Sequence, residues 1–267
     1  INKDEKLSPD VIALGKKLFN DNRLSNKNLM SCKTCHDPKL AFADGLPKAI
    51  TNQEGMFQQR NAPTIVYAAY QGRLFTDVRS RTLEEQVIHV FDNPLEFNTN
   101  VDDIVEKLSK DSTIVKEFIK AFPADWKKPI KEFTIRKALA AYIRSLGKFN
   151  SEFDAYMRGE IKDLPANVKR GFNLFMGKAA CGTCHFAPTF AGTTPTIYRE
   201  SETEVLGVLE KWDTLNPVLT TDSGRYHTQK NAIYITSHKT ATLRNIELTA
   251  PYMHNGTYKD LETVMDF

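Results

Sequence analysis

The sequence predicts a mainly α-helical chain built as two tandem units joined by long loops. Three observations carry this. Apolar residues recur at helical spacing in several separate stretches, and no segment of any length alternates apolar and polar residues as a half-buried strand would. A short helix pattern followed by a cysteine–histidine pentad also occurs twice.

The first helix starts at Ser8-Pro9-Asp10, with serine at the N-cap and proline at the first helical position. Val11, Leu14, Leu18 and Phe19 then follow a helical period. Thr82-Leu83-Glu84-Glu85 reads as a capping box opening a helix that carries Gln86 and Val87. Further helical patterns run through Val101–Leu108, Thr113–Phe122 and Ile135–Leu146, the last closed by Gly147. Leu14-Gly15-Lys16-Lys17-Leu18-Phe19 precedes the first pentad, and Arg170-Gly171-Phe172-Asn173-Leu174-Phe175 precedes the second. In both, a glycine on an amphipathic helix would let a neighbour approach closely. The position of this repeat before each pentad points to tandem units. The join is expected near Ile161–Ala166, where Leu164-Pro165 leads into the second unit, giving domains at 1–164 and 165–267.

The chain's 267 residues suffice for two such cores. With 36 basic against 33 acidic residues, charge is near balance, so a nucleic-acid binder is not expected. No run approaches the roughly 20 apolar residues that span a bilayer, so no membrane span is expected. The opening Ile1-Asn2-Lys3-Asp4-Glu5 has no charged start or apolar h-region, which fits a signal peptide already removed.

All four cysteines fall in Cys32-Lys33-Thr34-Cys35-His36 and Cys181-Gly182-Thr183-Cys184-His185. Two thiols one helical turn apart can each add to a vinyl group on the same porphyrin edge, and the adjacent histidine then lies beneath the iron. Structural zinc uses the same residue types but does not need histidine directly after the second cysteine, as happens here twice. A thioredoxin-like pair would need a βαβ setting that this chain lacks. The expectation is two covalently bound haem c groups, held by Cys32, Cys35, Cys181 and Cys184, with His36 and His185 as proximal iron ligands. Such attachment happens outside the bacterial cytoplasmic membrane, so a periplasmic location follows.

Several further segments, in order along the chain, resemble the bacterial diheme cytochrome c peroxidases and their MauG relatives. These are Phe42-Ala43-Asp44-Gly45, Arg60-Asn61-Ala62-Pro63-Thr64, Leu83-Glu84-Glu85-Gln86 and Asn93-Pro94-Leu95-Glu96. The last runs from Leu243-Arg244-Asn245 through Thr249-Ala250-Pro251 to Tyr252-Met253-His254-Asn255-Gly256. By that resemblance Glu96 is the distal acid/base over the N-terminal haem, moving a proton between the peroxide oxygens. Gln86 is the distal amide that hydrogen-bonds peroxide or water. Asn61 supplies a side-chain ligand to a calcium ion between the domains, with Thr249 and Pro251 adding backbone carbonyls. Hard oxygen donors suit calcium.

The departures matter as much. The family's tryptophan between the haems is Thr76 here, and its Gly-Pro after the glutamine is His89-Val90. Residues 37–60 hold no histidine, so the family's blocking distal ligand is missing, and His89 is the one candidate to replace it. The sixth ligand of the C-terminal haem aligns one residue beyond Phe267, leaving Met253 and Met265 as alternatives. His254 reads as a hydrogen-bonded structural residue, and His227 and His238 as loop histidines.

The resemblance thus implies an enzyme that reduces hydrogen peroxide to water. Its electrons would come from a small periplasmic redox protein, a cytochrome c or cupredoxin, entering through the C-terminal haem. Two alternatives stay open: a MauG-like oxidase that modifies residues of a partner protein, and a non-enzymatic diheme electron carrier. Glu96 and Gln86 argue against the carrier, which needs no proton-transfer group beside an open iron. Donor identity and homodimer formation are left open by the sequence.

Overall fold

A computed structural model describes residues 8–196 and 198–267. The Ile1–Glu5 opening lies outside the described residues. The order is α1 (Pro9–Phe19), α2 (Cys32–Cys35), α3 (Leu83–Asp92), α4 (Val101–Ser109), α5 (Ser112–Ala121), α6 (Glu132–Leu146), α7 (Glu152–Met157), α8 (Ala166–Met176) and α9 (Leu261–Asp266). Short 3₁₀ turns fill the connections, and one antiparallel pair joins β1 (Thr203–Glu204) to β2 (His238–Lys239) in the register Glu204 to His238.

The N-terminal half owns the main core. Helix α1 packs chiefly on α6, burying Leu14, Leu18 and Phe19 almost completely. Each such side chain contributes roughly 1.5–3 kcal/mol relative to exposure. Gly15 makes the contact possible, since a Cβ there would lie 1.9 Å from the Ala138 carbonyl oxygen on α6. Among the described residues, a Cβ on Gly171 in α8 would meet nothing within 4 Å. Helices α4 and α5 add Ile104, Leu108, Ile114 and Phe118 to the same core.

The caps follow the expected residues with differences of detail. Thr82 accepts from the Glu85 amide at 3.1 Å, but the Glu85 carboxylate reaches back to the amide of Arg81 rather than to that of Thr82. Ser8 stands at the N-cap of α1 without a side-chain cap bond. Gly147 ends α6 with φ −74°, so it is not there for a left-handed turn. It serves a close approach instead: a Cβ would lie 2.8 Å from the Tyr70 ring and 2.9 Å from the Val66 carbonyl oxygen.

The C-terminal half is mostly loops around a small cluster of Val208, Tyr252 and Tyr258. It is tied to the first half by polar contacts. Arg244 donates to both oxygens of Asp154 at 2.5 and 3.0 Å. Arg60 holds Asp222 through Nε and Nη2 at 2.6 and 2.8 Å. The Lys239 amide donates to the Thr76 carbonyl at 2.8 Å. No helix among the described residues is long and apolar enough to cross a membrane.

Candidate active site

The two pentads are built alike. Each turns so that the histidine amide bonds the first cysteine's carbonyl, His36 to Cys32 and His185 to Cys181, both at 3.0 Å. The chain then loops back through an isolated bridge, Asp37 to Ala43 in one unit and Phe186 to Ala191 in the other. Phe42 (φ 60°) and Phe190 (φ 50°) adopt left-handed backbone in these returns. Their carbonyls face the histidines, with His36 Nδ1 3.0 Å from the Phe42 oxygen and His185 Nδ1 3.1 Å from the Phe190 oxygen. A carbonyl can only accept, so each Nδ1 carries the proton and each Nε2 keeps its lone pair. That is the tautomer and orientation of a metal-ligating imidazole.

Burial holds both histidines below the ordinary imidazole range, keeping the rings neutral as ligands. The four cysteines are not paired with one another as disulfides. Paired thiols beside an imidazole with a bare Nε2 are the donor set of a c-type haem, and this chain presents it twice.

The turn that carries Glu96 is assembled at the end of α3. Asn93 caps that helix, and its side chain organises the following turn. Asn93 Oδ1 accepts from the Leu95 amide at 3.0 Å, while Nδ2 donates to Glu96 Oε1 at 2.8 Å. Asn52 and Gln58 pin the same turn by donating to the carbonyls of Pro94 and Leu95. Burial pushes the Glu96 carboxyl above its usual range, while the Asn93 bond and the Arg79 charge pull it back. Its charge is felt at both Cys32 and Cys35, so it lies near the first pentad.

Gln86 lies seven residues before Asn93, two turns back on the same helix face. It is half-buried and makes no side-chain hydrogen bond among the described residues. His89 is exposed and packs edge-to-face on Phe75, with ring centroids 5.8 Å apart. The Arg79 guanidinium lies over the Phe75 ring, 3.4 Å from its centroid, and bonds Asp77, whose carboxylate also takes Arg60. Asn93 and Arg79 were not singled out by sequence reasoning. Asn-Pro two residues ahead of Glu96 was the available signal for the first, because asparagine often hydrogen-bonds its own turn.

The segments that carry Asn61 and His254 also meet. The Asn61 amide donates to the His254 carbonyl at 2.7 Å, joining the Arg60–Thr64 segment to the one ending at Gly256. Asn61 Nδ2 donates to the Leu46 carbonyl at 2.6 Å, which leaves Oδ1 as its acceptor. Among the described residues no hydrogen bond is made to that oxygen or to the Thr249 and Pro251 carbonyls. Oxygens of this kind fit a hard cation such as calcium.

A family model described as di-haem cytochrome c peroxidase matches residues 9–162. The chain belongs to that family. Among its relatives, the methylamine utilization protein MauG of Methylorubrum extorquens is 33% identical over 99% of this chain and 70% of its own length. The cytochrome c551 peroxidase of Pseudomonas aeruginosa is 32% identical over 97% of this chain and 71% of its own. Among solved structures, a MauG-like protein associated with microbial copper homeostasis matches with a TM-score of 0.85 and 30% identity, covering 100% of this chain and 78% of the other. Membership in the di-haem peroxidase family accounts for the paired pentads and for two haem c cofactors.

Proposed function

We propose that this enzyme reduces hydrogen peroxide to water at the N-terminal haem, drawing electrons through the C-terminal haem from a small periplasmic cytochrome c or cupredoxin. The two haems divide the chain into domains 1–164 and 165–267. The single observation that carries the reading is Glu96, a half-buried carboxylate held by Asn93 near the first pentad. A carrier has no use for such a group.

The haem at Cys32, Cys35 and His36 would supply the iron at which the peroxide bond breaks. Phe42 orients His36 through its carbonyl and fixes Nε2 toward that position. Glu96 takes the proton from one peroxide oxygen and returns it to the other, turning the second into a leaving water. Gln86 positions the peroxide by hydrogen bonding. The raised affinity of Glu96 for a proton suits this exchange. With two electrons and two further protons, one peroxide yields two waters. Asn61, Thr249 and Pro251 would hold calcium and so keep the domains in register.

The family also includes MauG, and Thr76 replaces the aromatic that peroxidases place between the haems. Peroxide turnover with reduced cytochrome c separates the readings. Multiple turnover coupled to cytochrome oxidation supports the proposal. Consumption of only one or two peroxide equivalents per enzyme, with the donor left reduced, would refute it and favour a MauG-like oxidase.

A further inference from the structure

Behind the segment junction at Asn61 lies a cluster that the peroxidase reading leaves unused. Ligand atoms of Asp222, His238 and His254 all fall within 4.8 Å of one another. His254 is 7% exposed, and its buried Nδ1 has no hydrogen-bond partner. Neither ring nitrogen of His238 has a partner, although both are buried. Each unsatisfied polar atom of this kind costs roughly 1–3 kcal/mol, so three in one place need an explanation.

The individual atoms suggest it. His254 Nε2 meets Thr220 Oγ1 at 3.2 Å. With the proton on Nε2, the hydroxyl accepts, and the lone pair falls on the orphaned Nδ1. This is the arrangement in which a second partner orients a metal-bound imidazole. Asp222 Oδ1 is engaged by Arg60 Nη2 and the Gly224 amide, but Oδ2 receives only Arg60 Nε, so one lone pair stays available.

We infer that Asp222, His238 and His254 form a further metal site, for a borderline divalent ion of the Zn²⁺ or Cu²⁺ class, distinct from the haems and from the oxygen-donor calcium position. The residue types decide the class, because two imidazoles with one carboxylate suit zinc and copper, whereas calcium wants oxygen. Charge gives little help: the neighbouring carboxylates of Asp77 and Asp222 are balanced by Arg60 and Arg79. The nitrogen donors therefore set both affinity and selectivity. The two rings stack at 3.7 Å with planes 10° apart, so their lone pairs run side by side and do not meet. Binding requires one ring to turn. His238 is that ring, since no hydrogen bond restrains it, while Thr220 and Arg60 hold the other two ligands in place. Closure would bring the donors to about 3.3 Å from one another, the separation tetrahedral zinc requires.

The test is equilibrium dialysis of the two-haem protein against Zn²⁺ in the presence of excess Ca²⁺, with metal and haem counted together. The expected result is one zinc per chain, unaffected by calcium, and a rise in melting temperature on zinc addition. His238→Phe keeps an aromatic ring on the stack and should weaken zinc binding about ten-fold or more, roughly 1.4 kcal/mol, with haem content unchanged. The exposed His227 provides a control, as His227→Gln should bind like wild type. Zinc-edge absorption on the wild-type complex needs no variant and should show two imidazole ligands. Failure to bind zinc at about 100 µM, where a useful site would be filled, overturns the inference. So does equal binding by His238→Phe, or a bound zinc with fewer than two imidazoles.

Discussion

Asn93 Nδ2 donates to Glu96 Oε1 across a single turn, at 2.8 Å. This bond favours the charged carboxylate, against a burial that favours the neutral acid. Asn93→Ala should therefore raise the Glu96 pKa further. The base form is the one that accepts the peroxide proton, so the acid limb of kcat/KM should move to higher pH. Hydrogen bonds to charged groups are worth about 1.5–3 kcal/mol, which is roughly one to two pH units. A pH–rate profile in which the limb stays put would show that another group controls it.

Gly15→Ala forces a methyl against the Ala138 carbonyl and should destabilise by about 1–3 kcal/mol or more. Chemical denaturation against the wild type checks this, and an unchanged midpoint would mean that α1 does not need its close approach to α6.

Arg244 and Asp154 form a buried pair, with side chains 9% and 5% exposed. Burial of the carboxylate is outweighed by the Arg244 and Ser151 bonds, which draw Asp154 down to about 2. A depressed acid adds stability above its unfolded pKa and loses it as pH falls through the folded one. This contribution should fade between about pH 4 and pH 2. Asp154→Ala leaves the guanidinium buried and unpaired, and should cost about 3–5 kcal/mol at pH 7. It should also flatten the melting temperature against pH across that window.

Much of the helical half could be read in the residues, because α1 and α3 to α6 bury regular apolar faces and α3, α4 and α5 start at the caps Thr82, Asn100 and Asp111. The pentads carried their own chemistry. Glu96 was different. An acid after Asn-Pro looks like an ordinary solvated turn, and only the resemblance singled it out. Residues 186–260 resisted reading because they are held by 3₁₀ turns, isolated bridges and side-chain contacts that leave no period. Gly224 is typical, with φ 57° and its backbone against Ser237, a long-range contact without local signal. His238 looked like a loop histidine for the same reason: its stacking on His254 exists only in the folded chain.

The most direct test of the central claim is the stopped-flow rate at which peroxide reacts with the Glu96→Gln enzyme. The amide keeps the shape and hydrogen bonding of the acid but cannot take and return a proton. Haem content and reduction of the C-terminal haem by donor should be unchanged. The peroxide reaction should slow by about 10²–10⁴-fold, the usual worth of general acid–base catalysis. Gln86→Ala should lose less, since it removes only a positioning bond. A Glu96→Gln enzyme that reacts with peroxide at the wild-type rate would contradict the account and leave the carboxylate a structural part of the turn.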